Sequence, residues 1–342
     1  MLELTEFEWR LLNDFQRDFP LLPQPFSALA THLAVTEAEV LASLTRLQDS
    51  GKLSRVGAVF KPHRIGFSTL TALAVPIAEL EMVAKLVNDY VEVNHNYQRE
   101  HHYNLWFVLT AASEQRIQQV LAEIEQRTAC QPLNLPLLEE FHIDLGFDLS
   151  NRFKHQQRLH QLEFNQPDRA EIMLTPDNLN AIIGAIQSGL PLVSQPYATI
   201  GKNIGLTENA VLAGIATLLE QGIIKRFGVV VRHHELGYRA NAMVVWDIAD
   251  DQVSALGKQL GEFEWVTLSY RRPRRLPDWR YNLFTMIHGQ NRDQVLAQIA
   301  QIKAECGLES IASEVLFSVR RFKQRGARYV ASNEKMAALA TE

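Results

Sequence analysis

The feature that most constrains this chain is that it repeats itself. Residues 29–67, "LATHLAVTEAEVLASLTRLQDSGKLSRVGAVFKPHRIGF", align without a gap with residues 200–238, "IGKNIGLTENAVLAGIATLLEQGIIKRFGVVVRHHELGY". The offset is 171, and 12 of the 39 positions are identical, among them Thr36, Val40, Leu41, Gly51, Arg55, Gly57, His63 and Gly66. A chain of 342 residues exceeds one average domain, so it is read as an internal duplication, two copies of one unit.

Each copy opens with three helical segments. Apolar residues recur at helical spacing in "FEWRLLNDF", in "FSALATHLAV" and in "TEAEVLASLTRLQDSG". In the last, Thr36 caps the start with Glu39 three residues on, and Gly51 ends the helix. "KLSRVGAVF" then alternates as a strand does, and three helices with a short β-ribbon make a winged helix-turn-helix. The β-rich half that follows reads strand, helix, strand, strand, helix, strand in both copies, ending in "LNLPLLEEFHI" and in "IASEVLFSVRRF". That order, βαββαβ, is ferredoxin-like. The expected class is therefore α+β. The expected domains are a winged helix-turn-helix at 1–62, a ferredoxin-like domain at 63–150, a polar linker at 151–176, and the second winged helix and ferredoxin-like domain at 177–233 and 234–330. Sheets of this kind pair face to face, so the two copies are expected to form an internal pseudo-dimer, with a homodimer of whole chains a further expectation.

Composition excludes several function classes. The formal net charge is −5, so no global field attracts nucleic acid or anionic membrane, and no apolar run approaches the ~20 residues that span a bilayer. The start, "MLELTEFEWRLL", has neither a basic stretch nor an apolar core, and a cytoplasmic protein is expected. Cys130 and Cys306 lie far apart without metal-ligand spacing and read as reduced, packed thiols. DNA is not the expected partner either. A recognition helix needs Arg or Lys for phosphates and Arg, Asn or Gln for base edges, whereas "TEAEVLASLTRL" holds two glutamates and one arginine, and "TENAVLAGIATLLE" no basic residue.

The copies differ most between their second and third β-half strands. Tyr97 aligns with Tyr270 and "YNL" at 103–105 with "YNL" at 281–283, yet the intervening stretch is "QREHH" in the first copy and "RRPRRLPDWR" in the second. Loops that diverge on a duplicated scaffold carry specialised function. In the first copy, His95, Tyr97, Arg99 and His101 fall at alternate positions, so an extended segment points them to one side. Three histidines within eight residues, His95, His101 and His102, suit a ligand that needs a proton donor or an axial partner for a metal. Their spacing matches no zinc signature, so no metal site of the protein's own is expected. In the second copy, Arg271, Arg272, Arg274, Arg275 and Arg280 make either a solvated loop paired with surface acids or a polyanion site, with Trp279 and Tyr281 as a flat wall. His63, His234 and His288 read as structural, while Lys61 and His63 remain candidate neighbours of the site, because the wing joins the β-half there.

The helix-turn-helix pattern with a ferredoxin-like domain resembles the Lrp/AsnC regulators. The pairing of "HNYQREHHYNLWF" with "SYRRPRRLPDWRYNLF…IHG" is more specific, and resembles the sirohaem decarboxylases, the Nir/Ahb family, in their fused NirD-NirL type. The resemblance covers both copies. It implies an enzyme of modified tetrapyrrole synthesis, a non-oxidative carboxy-lyase that converts two acetate side chains of sirohaem to methyls. The product, didecarboxysirohaem, leads to d-type haem in denitrifiers or to haem by an alternative route. It further implies His95 or His101 as general acid or iron ligand, Tyr97 and Arg99 positioning the reacting carboxylate, and Arg271, Arg272, Arg274 and Arg275 clamping other side chains. His102, Asn104, Tyr270, Trp279 and Tyr281 would complete the substrate contacts. No cofactor is expected beyond the iron tetrapyrrole substrate. The competing reading is a DNA-binding regulator that senses a tetrapyrrole or an amino acid.

Overall fold

A computed structural model describes residues 4–61, 66–143, 172, 174–231 and 240–325. His63, His234 and almost all of the expected linker at 151–176 lie outside the described residues.

The first copy contributes helices α1 (Glu6–Asp14), α2 (Pro25–Leu33) and α3 (Glu37–Asp49) and strand β1 (Leu53–Phe60). Its β-half is β2 (Phe67–Leu73), α4 (Leu80–Asp89), β3 (Val93–Arg99), β4 (Leu105–Ala111), α5 (Glu114–Thr128), β5 (Leu133–Pro136) and β6 (Glu139–Ile143). The second copy repeats this as α6 (Pro176–Ile186), α7 (Pro196–Ile204), α8 (Glu208–Glu220) and β7 (Ile224–Val231). Its β-half is β8 (Ala240–Trp246), α9 (Val253–Leu260), β9 (Val266–Arg271), β10 (Leu283–Gly289), α10 (Arg292–Cys306) and β11 (Ser313–Gln324). Local chemistry sets the helix ends. At α3 the Thr36 hydroxyl accepts the Glu39 amide at 3.3 Å, the Glu39 carboxylate accepts the Thr36 amide at 2.7 Å, and Gly51 follows at φ 76°.

The chain divides into two compact units, and each joins like with like. Helices α1–α3 and α6–α8 with strands β1 and β7 form one unit; the two β-halves, with their own helices, form the other.

In the helical unit, β1 and β7 pair antiparallel with Gly57 opposite Gly228. The ribbon expected within each copy is thus made between the copies, one strand from each, because a single wing strand would leave its amides unpaired. The would-be recognition helices are poor in reading groups. Arg46, the one basic residue of α3, forms an ion pair with the buried Glu8 of α1. In α8, Ala210, Val211, Leu212, Gly214, Ile215, Ala216 and Leu218 are all buried, so little of that helix surface is available to a groove.

In the β unit, nine strands run in the order β5-β2-β4-β3-β11-β8-β10-β9-β6. Each copy is ferredoxin-like, with its helices on the outer face. Val83, Val87 and Ile124 fill the first helix-to-sheet core, and Val253, Leu260 and Ile299 the second. A third apolar cluster, including Trp106, Leu135, Met243, Val245, Trp279 and Leu316, draws on the opposite faces of both sheets. The pseudo-dimer is therefore sheet on sheet, closed by exchanged strand ends. β11 pairs with β8 of its own copy through Ser313–Phe317, then with β3 of the first copy through Ser318–Gln324. The first copy does the same with two strands: β5 pairs with β2 at home, and β6 pairs with β9 of the second copy. The single strand expected from "LNLPLLEEFHI" is split after Pro136, which has no amide hydrogen to continue a ladder.

Candidate functional site

Strand β3 alternates as its sequence requires. Asn96 faces the helices, its amide donating to the Ala84 carbonyl at 3.2 Å and to Asn88 Oδ1 at 3.0 Å. The residues between point to the inter-sheet side. There His95 and Tyr97 lie with ring centroids 6.3 Å apart at 23°, and the Arg99 guanidinium sits 5.8 Å from the Tyr97 ring centre. His95, Tyr97 and Arg99 thus share one face. His101 and His102 do not continue it, because β3 ends at Arg99 and both fall in the turn before β4.

Arg99 has a counterpart that the loop sequences disguise. Tyr97 opposes Trp106 and Tyr270 opposes Phe284, so Arg99 and Arg272 hold the same place in the two copies. Each reaches a strand of the other copy: Arg99 Nη1 donates to the Leu316 carbonyl on β11 at 2.9 Å, Arg272 Nη1 to the Leu135 carbonyl on β5 at 2.6 Å. Arg272 also lies 5.3 Å from the Tyr270 ring centre and 5.9 Å from that of Phe284. Burial lowers both guanidinium pKa values from 12.5 to about 10, against the favourable charge of the adjacent tyrosines. Both Nε atoms are buried without a hydrogen-bond partner, and neither guanidinium meets a carboxylate among the described residues. Buried cations in that condition are ready to take an anion.

The remaining arginines of the second loop are mostly neutralised. Arg274 bonds Asp247 at 2.8 Å and Asp250 at 2.6 Å, Arg280 bonds Asp247 at 2.7 Å, and Arg271 is 3.5 Å from Asp250. Burial pushes the Asp247 carboxyl up, but the bonds and charges of Arg274 and Arg280 outweigh it and hold it below 3.8. Arg274 is accordingly part of a scaffold rather than a free clamp. Arg275 is exposed, and its Nε donates to the Asn134 carbonyl of the first copy at 2.9 Å.

The two divergent loops meet. Trp279, from the second copy, is 2 % exposed and stands edge-on to His101, Tyr103 and Trp106 of the first, at ring-centroid distances of 5.6, 6.0 and 5.4 Å. It is an inter-copy core residue, not an open wall, and its indole Nε1 is buried without a partner. His101 sits in a satisfied network: Nδ1 accepts the Tyr103 amide at 2.9 Å, and Nε2 lies 2.7 Å from Glu314 Oε2. The Tyr281 hydroxyl donates to Glu314 Oε1 at 2.7 Å, and burial, with Glu314 beside it, pushes that phenol up to about 12.

Asn104 is not available to a ligand. It is buried, its Oδ1 accepts the Val75 amide at 3.0 Å and its Nδ2 donates to the Val75 carbonyl at 2.8 Å. Asn282 makes the same bracket on Ile248, which explains why "YNL" is shared by both copies. His102 is exposed beside Tyr103, with ring centroids 5.2 Å apart. Lys61 is an exposed residue just past β1, in the helical unit. Among the described residues no group of three or more His, Cys, Asp or Glu side chains is arranged to hold a metal ion, and no helix is long and apolar enough to cross a membrane.

Sequence reasoning missed Glu314 and Asp247, and named His288 only as a structural histidine. The first two are acids on or after strands far from either loop, with no local motif. His288, on β10, has Nδ1 3.1 Å from Thr267 Oγ1; burial, and then the charge of Arg99, lower its pKa from 6.5 to about 4.

Comparison with known proteins agrees with this architecture. Residues 8–53 and 180–225 match the family described as the siroheme decarboxylase NirDL-like HTH domain, and residues 64–142 and 235–323 the AsnC-like ligand binding domain. The siroheme decarboxylase NirDL subunit of Paracoccus pantotrophus is 39% identical over 328 residues, covering 95% of this chain and 98% of its own. Two crystal structures are similar over 98% of this chain at 26% identity. They are the siroheme decarboxylase NirDL, with a TM-score of 0.68, and NirDL in complex with an iron-uroporphyrin III analogue, with a TM-score of 0.66. At that identity and near-complete coverage of both chains, the protein belongs to the siroheme decarboxylase NirDL family.

Proposed function

We propose that this protein is a sirohaem decarboxylase, a non-oxidative carboxy-lyase of the cytoplasm. It converts two acetate side chains of sirohaem to methyls and yields didecarboxysirohaem for d-type haem or for an alternative haem route. The observation that carries this reading within the family is the pair of enclosed guanidiniums, Arg99 and Arg272, without carboxylate partners among the described residues. Sirohaem is a flat ring fringed with acetates and propionates. An anionic substrate group replaces the missing partner at each guanidinium, and the apolar inter-sheet faces suit the ring.

The chemistry asks for little more. When the bond between an acetate methylene and its carboxylate breaks, carbon dioxide leaves and the electron pair stays on carbon, from which it spreads into the macrocycle. A proton then completes the methyl. Arg99, under Tyr97, orients the reacting carboxylate, and His95 or His101 supplies the proton. Arg272, with Tyr270 beneath it, holds a second acidic side chain, and Arg271 and Arg275 reach others. The substrate carries its own electron sink and the net reaction is redox-neutral, so no further cofactor is assigned.

Anaerobic incubation with sirohaem followed by mass spectrometry tests the reading. Two successive losses of carbon dioxide are expected; sirohaem recovered unchanged from folded protein would overturn it.

A further inference from the structure

Two histidines stand as candidates for the same step, and their surroundings differ. Around His101 every donor and acceptor is accounted for in one protonation pattern. A backbone amide can only donate, so the Tyr103 amide at 2.9 Å requires an unprotonated Nδ1 with its lone pair engaged. The ring proton is then on Nε2, directed at Glu314 Oε2 at 2.7 Å. The other oxygen of Glu314 accepts the Tyr281 hydroxyl at 2.7 Å, as an ionised carboxylate should. Protonating Nδ1 would set two N–H groups against each other across the turn.

A ring held this way is poorly suited to either reactive role. To give up a proton and be left as an ordinary imidazole, a histidine must first carry two, and His101 has no place for the second. To bind the substrate iron it needs an open lone pair, and the one at Nδ1 is occupied. What it does have is reach: His101 belongs to the first copy, while Glu314, Tyr281 and the packed Trp279 belong to the second. His95 lies on the inter-sheet face of β3 in one row with Tyr97 and Arg99, the guanidinium assigned to the reacting carboxylate.

We propose that His101 and Glu314 are positioning residues, a clasp between the copies that fixes His101 in its Nε2–H form and holds the two divergent loops together. His95 is the histidine of this segment that delivers the proton. This assignment rests on the sirohaem decarboxylase reading and narrows it.

The test uses substitutions that keep or remove the bond. In His101→Gln the side-chain amide can still donate to Glu314 but holds no transferable proton, so at least a tenth of the wild-type turnover is expected. Its pH profile and the absorption spectrum of bound sirohaem should be unchanged. His101→Ala and Glu314→Ala, which open the clasp, should lose more than His101→Gln, mainly through a raised KM. His95→Gln should bind sirohaem and lose turnover by at least a hundredfold. Nitrogen NMR of histidine-labelled protein reads the tautomer directly, with His101 Nδ1 expected as the unprotonated nitrogen. The assignment is overturned if His101→Gln is as inactive as His95→Gln while still binding sirohaem, or if NMR puts the proton on Nδ1. If the wild-type protein itself leaves sirohaem untouched, the decarboxylase reading fails, and the NMR experiment still decides the clasp.

Discussion

Arg99 and Arg272 are the same residue twice: each crosses from its own sheet to a carbonyl on a strand of the other copy, Leu316 on β11 at 2.9 Å and Leu135 on β5 at 2.6 Å. The packing of one copy on the other therefore does more than bury apolar surface. It supplies the acceptor that holds each guanidinium in place while leaving its Nε without a partner. The loops that distinguish the copies begin just beyond these two positions, so the specialised parts of the molecule grow from a symmetric base.

Replacing either arginine by methionine separates binding from stability. The substitution removes a buried, incompletely paired charge, whose burial costs several kcal/mol, and leaves one carbonyl unbonded at a cost of about 1–3 kcal/mol. These act in opposite directions, so ligand-free Arg99→Met and Arg272→Met are expected to melt close to the wild type. Sirohaem affinity should fall about 30-fold, the equivalent of ~2 kcal/mol for a lost charge-assisted carboxylate contact. Titration followed by absorbance checks it, and undiminished affinity in both variants would remove the anion-site assignment.

His288 makes the fold sensitive to mild acid. Burial and the charge of Arg99 hold its pKa near 4, against 6.5 ordinarily. The contribution is fully present above 6.5. Between these values the unfolded chain binds the extra proton, so stability falls with pH, by up to ~3 kcal/mol once pH reaches the lower value. Urea midpoints measured at pH 7 and pH 5 should show a smaller drop in His288→Gln than in the wild type. Arg99→Met should also shrink the drop, because the repelling charge is gone.

Asp247 anchors the arginine-rich loop. It bonds both Arg274 and Arg280, which flank the buried Trp279. Asp247→Asn removes the charge that two guanidiniums share, and a loss of ~1–3 kcal/mol is expected. Trypsin cuts after arginine, so the loop should be cleaved sooner in this variant, after Arg274, Arg275 or Arg280. An unchanged digestion pattern would show that Asp247 is not what holds the loop.

Much of this architecture is legible from the residues, and the gaps have a common cause. Local chemistry was enough for the Thr36 cap, for the order of strands and helices, and for the shared face of His95, Tyr97 and Arg99. Even the equivalence of Arg99 and Arg272 was within reach, since aligning Tyr97 with Tyr270 places one two residues past each. What could not be read is whatever depends on a partner far along the chain. The exchange of β6 and β11, the pairing of β1 with β7, and the acids Asp247 and Glu314 are fixed by which edges meet in space. His101 shows the cost of the gap: alternation assigned it to the strand face, but the strand ends two residues earlier.

The strand exchange itself can be tested at Gly257 in α9. Phe141, carried by β6 of the first copy, lies so close that an added Cβ at Gly257 would come within 2.1 Å of its ring. Ser269 on β9 fixes the same turn by donating to the Gly257 carbonyl at 2.7 Å. Gly257→Ala must therefore displace the exchanged strand's aromatic ring, and a destabilisation of about 1–3 kcal/mol is expected despite alanine's better helix propensity. Phe141→Leu makes room. Because the two residues touch, the double variant should lose less than the sum of the single losses, with a coupling of at least ~0.5 kcal/mol in urea denaturation. Strict additivity would mean that β6 does not lie on α9 in solution.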